Sequence, residues 1–240
     1  MWTRKELKEK AKKSFNANYW LSVLAGIIIS IASSTGGSSA GRSAQNANNS
    51  SDGASLSNFD IALIAGIILA AIFAVLVVAV IKIVVGNALH VGALKILIKN
   101  GRRDEGVEKP VAGDIVSAFQ SGCWSNVVLI MFLKDLFIGL WTLLFIVPGI
   151  IKTYEYRMIP YLLSENPNMD RAEAFRISKE MMDGQKMKAF LLDLSFIPWL
   201  ILTVLTCGIL GVFYVNPYIY QTETELYLTL LKENGQQNTY

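Results

Sequence analysis

The chain has 240 residues, of which 52% are hydrophobic and 17% charged, with a net charge of +3 and a single histidine. Soluble domains carry about a quarter charged residues, so the charge is thin for this apolar load. A disordered tail, a disulfide-stapled secreted module and a nucleic-acid-binding domain are excluded, and two cysteines, Cys123 and Cys207, can outline neither a disulfide framework nor a metal site.

Residues 1–18 predict a basic amphipathic helix. Leu7, Ala11 and Phe15 form its apolar stripe, with Arg4, Lys5, Lys8, Lys10, Lys12 and Lys13 around the rest. Tyr19 and Trp20 follow, residue types that favour the headgroup layer of a bilayer. Residues 19–32 make a first apolar span. The Ser/Gly/Asn-rich stretch 33–58, charged only at Arg42 and Asp52 before the next helix, reads as a flexible extracytoplasmic loop. A basic start followed by a short apolar run also describes a secretory signal peptide; the long leading helix with Glu6 and Glu9 argues against that.

Ile61 to Ile81 is an unbroken run without a charge. About 20 apolar residues cross a bilayer as a helix, which predicts a second span over 59–85. Lys82–Asn100 mixes apolar residues with Asn87, His90, Lys95 and Lys99, and reads as a helix leaving the membrane to lie along its surface. A charged turn, Gly101–Asp114, leads to a restarted helix at Ile115–Phe119. Two further spans, 125–147 and 149–163, are expected to be separated by a tight turn at Pro148-Gly149. Ser164–Lys188 is polar, with a helix from Asp170 to Asp183 stopped by Gly184. The last spans, 189–206 and 209–231, are divided by Cys207-Gly208.

Charge sets the orientation. Six Lys/Arg precede residue 19, five lie in 86–126, five in 164–188, and Lys232 stands in the tail. Positive residues stay on the cytoplasmic side, so both chain ends are expected there. The fold class is therefore an all-α integral membrane protein, with six transmembrane helices in three hairpins and cytoplasmic amphipathic helices. The second and third hairpins also echo each other: Asp135-Leu136 recurs as Asp193-Leu194, Trp141 as Trp199, Gly149-Ile150 as Gly208-Ile209, and Pro160-Tyr161 as Pro217-Tyr218. Units of two crossings repeat in parallel, about an axis along the membrane normal.

Several motifs together resemble a known family. They are Arg4-Lys5-Glu6-Leu7-Lys8 with Asn18-Tyr19-Trp20, Val147-Pro148-Gly149-Ile150-Ile151-Lys152, Pro160-Tyr161-Leu162-Leu163 with Asn166-Pro167, Leu192-Asp193-Leu194-Ser195-Phe196-Ile197, and Asn216-Pro217-Tyr218. The set is similar to the domain-of-unknown-function 975 family of bacterial multi-pass membrane proteins. More distantly, Ala174-Phe175-Arg176-Ile177-Ser178 followed by Gly184 is similar to the membrane domain of some glycerophosphodiester phosphodiesterases. The resemblance implies a bacterial cell-membrane protein and brings no catalytic residue with it.

Charged groups at membrane depth cost roughly 2.5–3.5 kcal/mol on insertion scales, so they pair or face water. Lys134 and Asp135 fall inside the third crossing and Asp193 near the start of the fifth. Adjacent residues point about 100° apart on a helix, so cross-helix pairs such as Lys134 with Asp193 are expected. Lys152, Glu155 and Arg157 interrupt the fourth crossing, where Lys152 and Glu155 can meet at i, i+3. Pro148, Pro160, Pro198 and Pro217 are candidate kinks, and Glu223 and Glu225 are expected at the cytoplasmic boundary. No Ser/His/Asp order, HExxH pattern or phosphate-cradling glycine loop is found, His90 stands alone, and no metal or cofactor is expected.

The reading is thus a non-enzymatic accessory, scaffold or regulatory membrane component. Its alternative is a small transporter or lipid-handling carrier using the intramembrane charges. The expected partners are the bilayer, anionic lipid headgroups through the basic cytoplasmic helices, and a membrane protein, but no nucleic acid.

Overall fold

A computed structural model describes residues 2–33, 58–120, 122 and 124–235. The loop expected over 33–58, apart from its two end residues, and Cys123 lie outside the described residues. Among those described the chain is all-helical, with no strand.

Helix α1 (Arg4–Ala17) begins in a reciprocal cap: Glu6 N–H donates to Thr3 Oγ1 at 3.3 Å, and Thr3 N–H donates to Glu6 Oε2 at 3.1 Å. Its buried residues are Leu7, Ala11 and Phe15, the stripe expected from spacing. The stripe packs onto protein, chiefly helix α11 (Asn216–Glu233), and the basic face remains outside. At Asn18 the backbone leaves the helical region and α2 (Tyr19–Ser33) follows at once.

Helix α3 (Asn58–Gly101) corrects the surface-helix expectation for Lys82–Asn100. It is one helix of 44 residues, about 66 Å long. Its front part exposes Ile67, Leu69, Phe73, Val75 and Ile81, whereas Ala88, Val91, Ala93, Leu94, Ile96, Leu97 and Ile98 are buried. A helix apolar on most sides is driven into a core rather than along a surface. Its polar members find partners there. Asn100 accepts from Asn18 Nδ2 at 2.8 Å, and donates to Ser14 O at 2.7 Å and Ser22 Oγ at 3.2 Å. Lys99 donates to both oxygens of Asp114, at 2.9 and 3.0 Å.

Helix α4 (Ser117–Gln120) leads to α5 (Trp124–Leu144), whose 21 residues cover about 31 Å, the thickness of a hydrocarbon core. The turn that follows is not at Pro148-Gly149. The backbone becomes extended at Phe145, and α6 (Ile146–Glu155) starts directly after it. Pro148 falls in the first turn of α6, where a missing N–H costs nothing. Gly149 lies against α5 so closely that a Cβ would sit 2.6 Å from Thr142 Cα.

After Tyr156–Met158 the chain resumes as α7 (Ile159–Glu165), with Pro160 at its second position. The freed backbone groups are met by α8 (Arg171–Met181): Ser178 Oγ donates to Glu155 O at 2.7 Å and accepts from Met158 N–H at 3.3 Å. The next pair breaks differently. Helix α9 (Lys186–Leu194) and helix α10 (Ile197–Leu205) are separated at Ser195-Phe196, and Pro198 again takes a second position. Gly208 N–H bonds to Thr203 O at 2.9 Å and Cys207 N–H to Val204 O at 3.1 Å, a left-handed helix ending that turns the chain. A π-helical turn, Gly211–Val215, precedes α11. The interruption at 156–158 and this π turn lie at the repeat's spacing, each just before a proline.

Among the described residues three stretches are long and apolar enough to cross a membrane: Ile81–Gly101, Trp124–Leu144 and Lys186–Leu205. The buried core joins α1, the back half of α3, α7, α8 and α11. Leu143–Val147 and the Val204–Ile209 region, by contrast, present apolar side chains outward.

Candidate functional site

The site forms where the broken helices α6–α7 and α9–α10 meet α11. Arg157 lies in the non-helical step between α6 and α7, with a side chain 12% exposed. Its Nη1 donates to Asp193 Oδ2 at 2.9 Å, and its Nη2 to Asp193 Oδ1 at 2.8 Å and to Glu223 Oε1 at 2.7 Å. Tyr154 OH donates to Asp193 Oδ2 at 2.8 Å and Tyr161 OH to Glu223 Oε2 at 3.2 Å. One guanidinium thus holds two carboxylates, and each carboxylate carries a tyrosine. A planar fork suits this bidentate grip in a way a lysine ammonium does not.

The cluster opens into a cleft of about 450 Å³. Lys134 and Ile138 of α5, Ile150 and Thr153 of α6, His90 of α3 and Tyr220 of α11 complete its wall. Lys134 stands at the middle of α5, roughly 15 Å from either end. Its ion pair is with the adjacent Asp135, at 3.2 Å, and not the expected cross-helix pair with Asp193. A lysine stem of four carbons curls far enough to override the 100° separation of neighbouring Cβ directions. Asp193 instead takes Arg157.

A second cluster lies beside the first. Glu155, whose side chain is 7% exposed, accepts from Lys152 Nζ at 2.5 Å and from Lys186 Nζ at 2.6 Å. The i, i+3 pair expected from sequence forms, and Lys186 adds a tie from α6 to α9. Of the six charged candidates, Lys134, Arg157 and Asp193 line the cleft; Asp135, Lys152 and Glu155 do not. Glu223, Tyr154, Tyr161, Tyr220 and His90 also line it, beyond the candidates that charge and proline pattern point to. For Glu223 the available signal was a carboxylate in a helix with apolar neighbours. Glu225, also expected near the polar end of its helix, is 5% exposed and accepts from Ser14 Oγ at 2.9 Å. Among the described residues no three His, Cys, Asp or Glu side chains gather as metal ligands.

The arrangement can hold a polar or zwitterionic group between fixed charges of both signs, with hydroxyls and aromatic faces at its edges. It offers no activated nucleophile. Fold and site define an all-helical protein with, among the described residues, three apolar stretches of membrane-crossing length and a charged cleft between helices. Residues 143–234, which include Arg157, Asp193 and Glu223, match the model of the family described as protein of unknown function (DUF975). No curated protein and no solved structure matches the chain. No relation to the membrane domain of glycerophosphodiester phosphodiesterases emerges from the comparisons.

Proposed function

We propose that the chain is a multi-pass protein of the bacterial cell membrane and a small carrier, a lipid- or solute-handling protein whose cleft receives the polar part of its cargo. In this reading six crossings pair as three hairpins. They are α2, the front of α3, α5, α6–α7, α9–α10 and α11 with its preceding π turn. The basic α1 and α8 lie on the cytoplasmic side, together with Lys232. Supporting this placement, exposed apolar side chains run along the front of α3, along α5 and along α9–α10, while most Lys and Arg lie in 1–18, 86–126 and 164–188.

The observation that carries the carrier reading is Arg157 held between Asp193 and Glu223 at the wall of an open cleft, where two broken helices meet. Broken helices at membrane depth are tolerated where they line a cavity, and transporters build binding sites that way. The test is lipid or solute movement in proteoliposomes. Fluorescent headgroup-bearing phospholipids and entrapped amino-acid and sugar solutes are followed with wild type, Asp193→Asn and Glu223→Gln. Movement of one class, abolished in the variants while thermal stability is retained, is the expected result. Movement unchanged in both variants overturns the site.

A second reading, an accessory or scaffold component, is favoured by α8. This helix buries Ala174, Ile177, Ser178 and Met181 and presents Arg171, Glu173, Arg176, Lys179 and Glu180 outward. A photocrosslinker at Lys179 that captures one discrete protein in intact membranes supports it. Diffuse or absent capture counts against it.

A further inference from the structure

Three cations of α1, Arg4, Lys8 and Lys12, follow one another at i, i+4 spacing, and Lys5 stands beside them. Like charges in this register repel one another and weaken a helix. Among the described residues none of the four has a carboxylate within 4.0 Å, even with Glu9 on the same helix. With Thr3 and Glu9 they line a hollow of about 600 Å³ bounded on its other side by Ser195 and Tyr218, four cations against one carboxylate. Lys8 reaches across it: its Nζ lies 3.4 Å from Ser195 O and 4.2 Å from the Phe196 ring centroid. Burial, followed by the neighbouring Arg4 charge, lowers the Lys8 ammonium below the usual lysine range, as expected for a cation cluster short of anions.

The hollow's position identifies the source of the missing anion. Ser195 lies in the break between α9 and α10, and the residues flanking that break, Leu194 and Ile197, are 47% and 43% exposed. A basic pocket beside a helix break flanked in sequence by exposed apolar residues suits a molecule with a phosphate at one end and acyl chains at the other. We propose that the pocket between α1 and the α9–α10 break binds the phosphate headgroup of an anionic glycerophospholipid, fastening the N-terminal helix to the third hairpin. The proposal rests on membrane placement and not on the carrier reading of the cleft. The two fail separately, because the first is read by lipid retention and the second by flux.

The test uses the full chain purified in neutral detergent. Phosphatidylglycerol or phosphatidylcholine is added, and retained lipid is counted by native mass spectrometry. Each basic residue near a membrane surface contributes about 1 kcal/mol, a factor of roughly five in affinity. Wild type should retain phosphatidylglycerol over phosphatidylcholine. The triple variant Arg4→Gln/Lys8→Gln/Lys12→Gln should lose that preference by about a hundredfold. A control triple at exposed cations elsewhere, Arg103→Gln/Lys109→Gln/Lys179→Gln, should keep it. Phosphatidylglycerol should also raise the melting temperature of wild type and of the control triple, but not of the pocket variant. Equal losses in both triples overturn the pocket in favour of diffuse surface charge. Displacement of the lipid by millimolar inorganic phosphate, with the same stabilisation from phosphate alone, overturns the lipid as ligand.

Discussion

Arg157 grips Asp193 through both arms of its guanidinium, at 2.9 and 2.8 Å, across the space between two separately broken helices. The same guanidinium reaches Glu223 on α11, so three elements meet on one side chain. Removing the cation leaves two carboxylates facing each other. Breaking a buried pair by deleting one partner costs about 3–5 kcal/mol, and the partial exposure of Asp193 places this site toward the lower end. Arg157→Ala should therefore be the most destabilising single change in the cleft. Arg157→Lys should lose about 1–2 kcal/mol through the missing fork, and Asp193→Asn less than Arg157→Ala. Unfolding by titrated denaturing detergent checks the order.

Ser178 supplies a second prediction. It is fully buried, and its hydroxyl satisfies a carbonyl on one side of the 156–158 interruption and an N–H on the other. Ser178→Ala leaves both without that partner and should cost about 1–3 kcal/mol. Ser178→Thr keeps the hydroxyl and tests whether the loss is chemical. Equal stability of Ser178→Ala and wild type would falsify the role assigned to it.

The turns after α5 and α10 respond alike to Gly→Ala and differ in how they are rescued. At Gly149 an added Cβ meets Thr142 Cα, which is backbone, at 2.6 Å. At Gly211 it meets only the Thr203 Cγ2 methyl closely, at 2.4 Å. Each alanine overpacks its contact and should cost about 1–3 kcal/mol. Thr203→Ser should rescue Gly211→Ala because the offending methyl is gone. Thr142→Ser should not rescue Gly149→Ala. Melting temperatures of the four variants decide between these outcomes.

Acid sensitivity should arise in part at Asp114. Burial pushes its carboxyl up, but the Val111 N–H and Lys99 outweigh this and hold it below the ordinary value of 3.8. A carboxyl lowered on folding contributes stability above its unfolded pKa and loses it as pH falls through the folded one. Stability should therefore decline as pH drops below about 4, and Asp114→Asn should flatten that decline while lowering stability at neutral pH. Equal slopes in the two proteins would count against the assignment.

Periodicity and charge made much of the architecture legible. The Leu7/Ala11/Phe15 stripe, the helix after Asp170 and the polar interruption near Lys152 all follow from residue spacing. Lys82–Asn100 did not, because a core helix and a surface helix can carry similar numbers of polar residues. What separates them is whether Asn100 and Lys99 have partners inside, and those partners lie 15 to 86 residues away in sequence. The cleft was half visible for the same reason. Arg157 and Asp193 were conspicuous as charges in apolar sequence, but 36 residues separate them and no period links them. Glu223 does not stand out in sequence, because a carboxylate near a helix's polar end reads as solvated until the arginine it binds is located.

For the cleft to receive a polar cargo it must be reached by water, although helices of membrane-crossing character flank it. This requirement is tested most directly at Thr153, an exposed position on the cleft's wall. Both native cysteines are replaced by alanine, and single cysteines are placed at Thr153 and, as an exposed apolar control, at Ile146, which is 71% exposed where α6 starts after α5. In proteoliposomes a water-soluble, charged thiol reagent should modify Thr153→Cys and not Ile146→Cys, with Arg157 and Asp193 intact. Labelling of Thr153→Cys by a lipid-soluble maleimide alone would contradict the account, leaving the Arg157–Asp193–Glu223 cluster a sealed structural clasp.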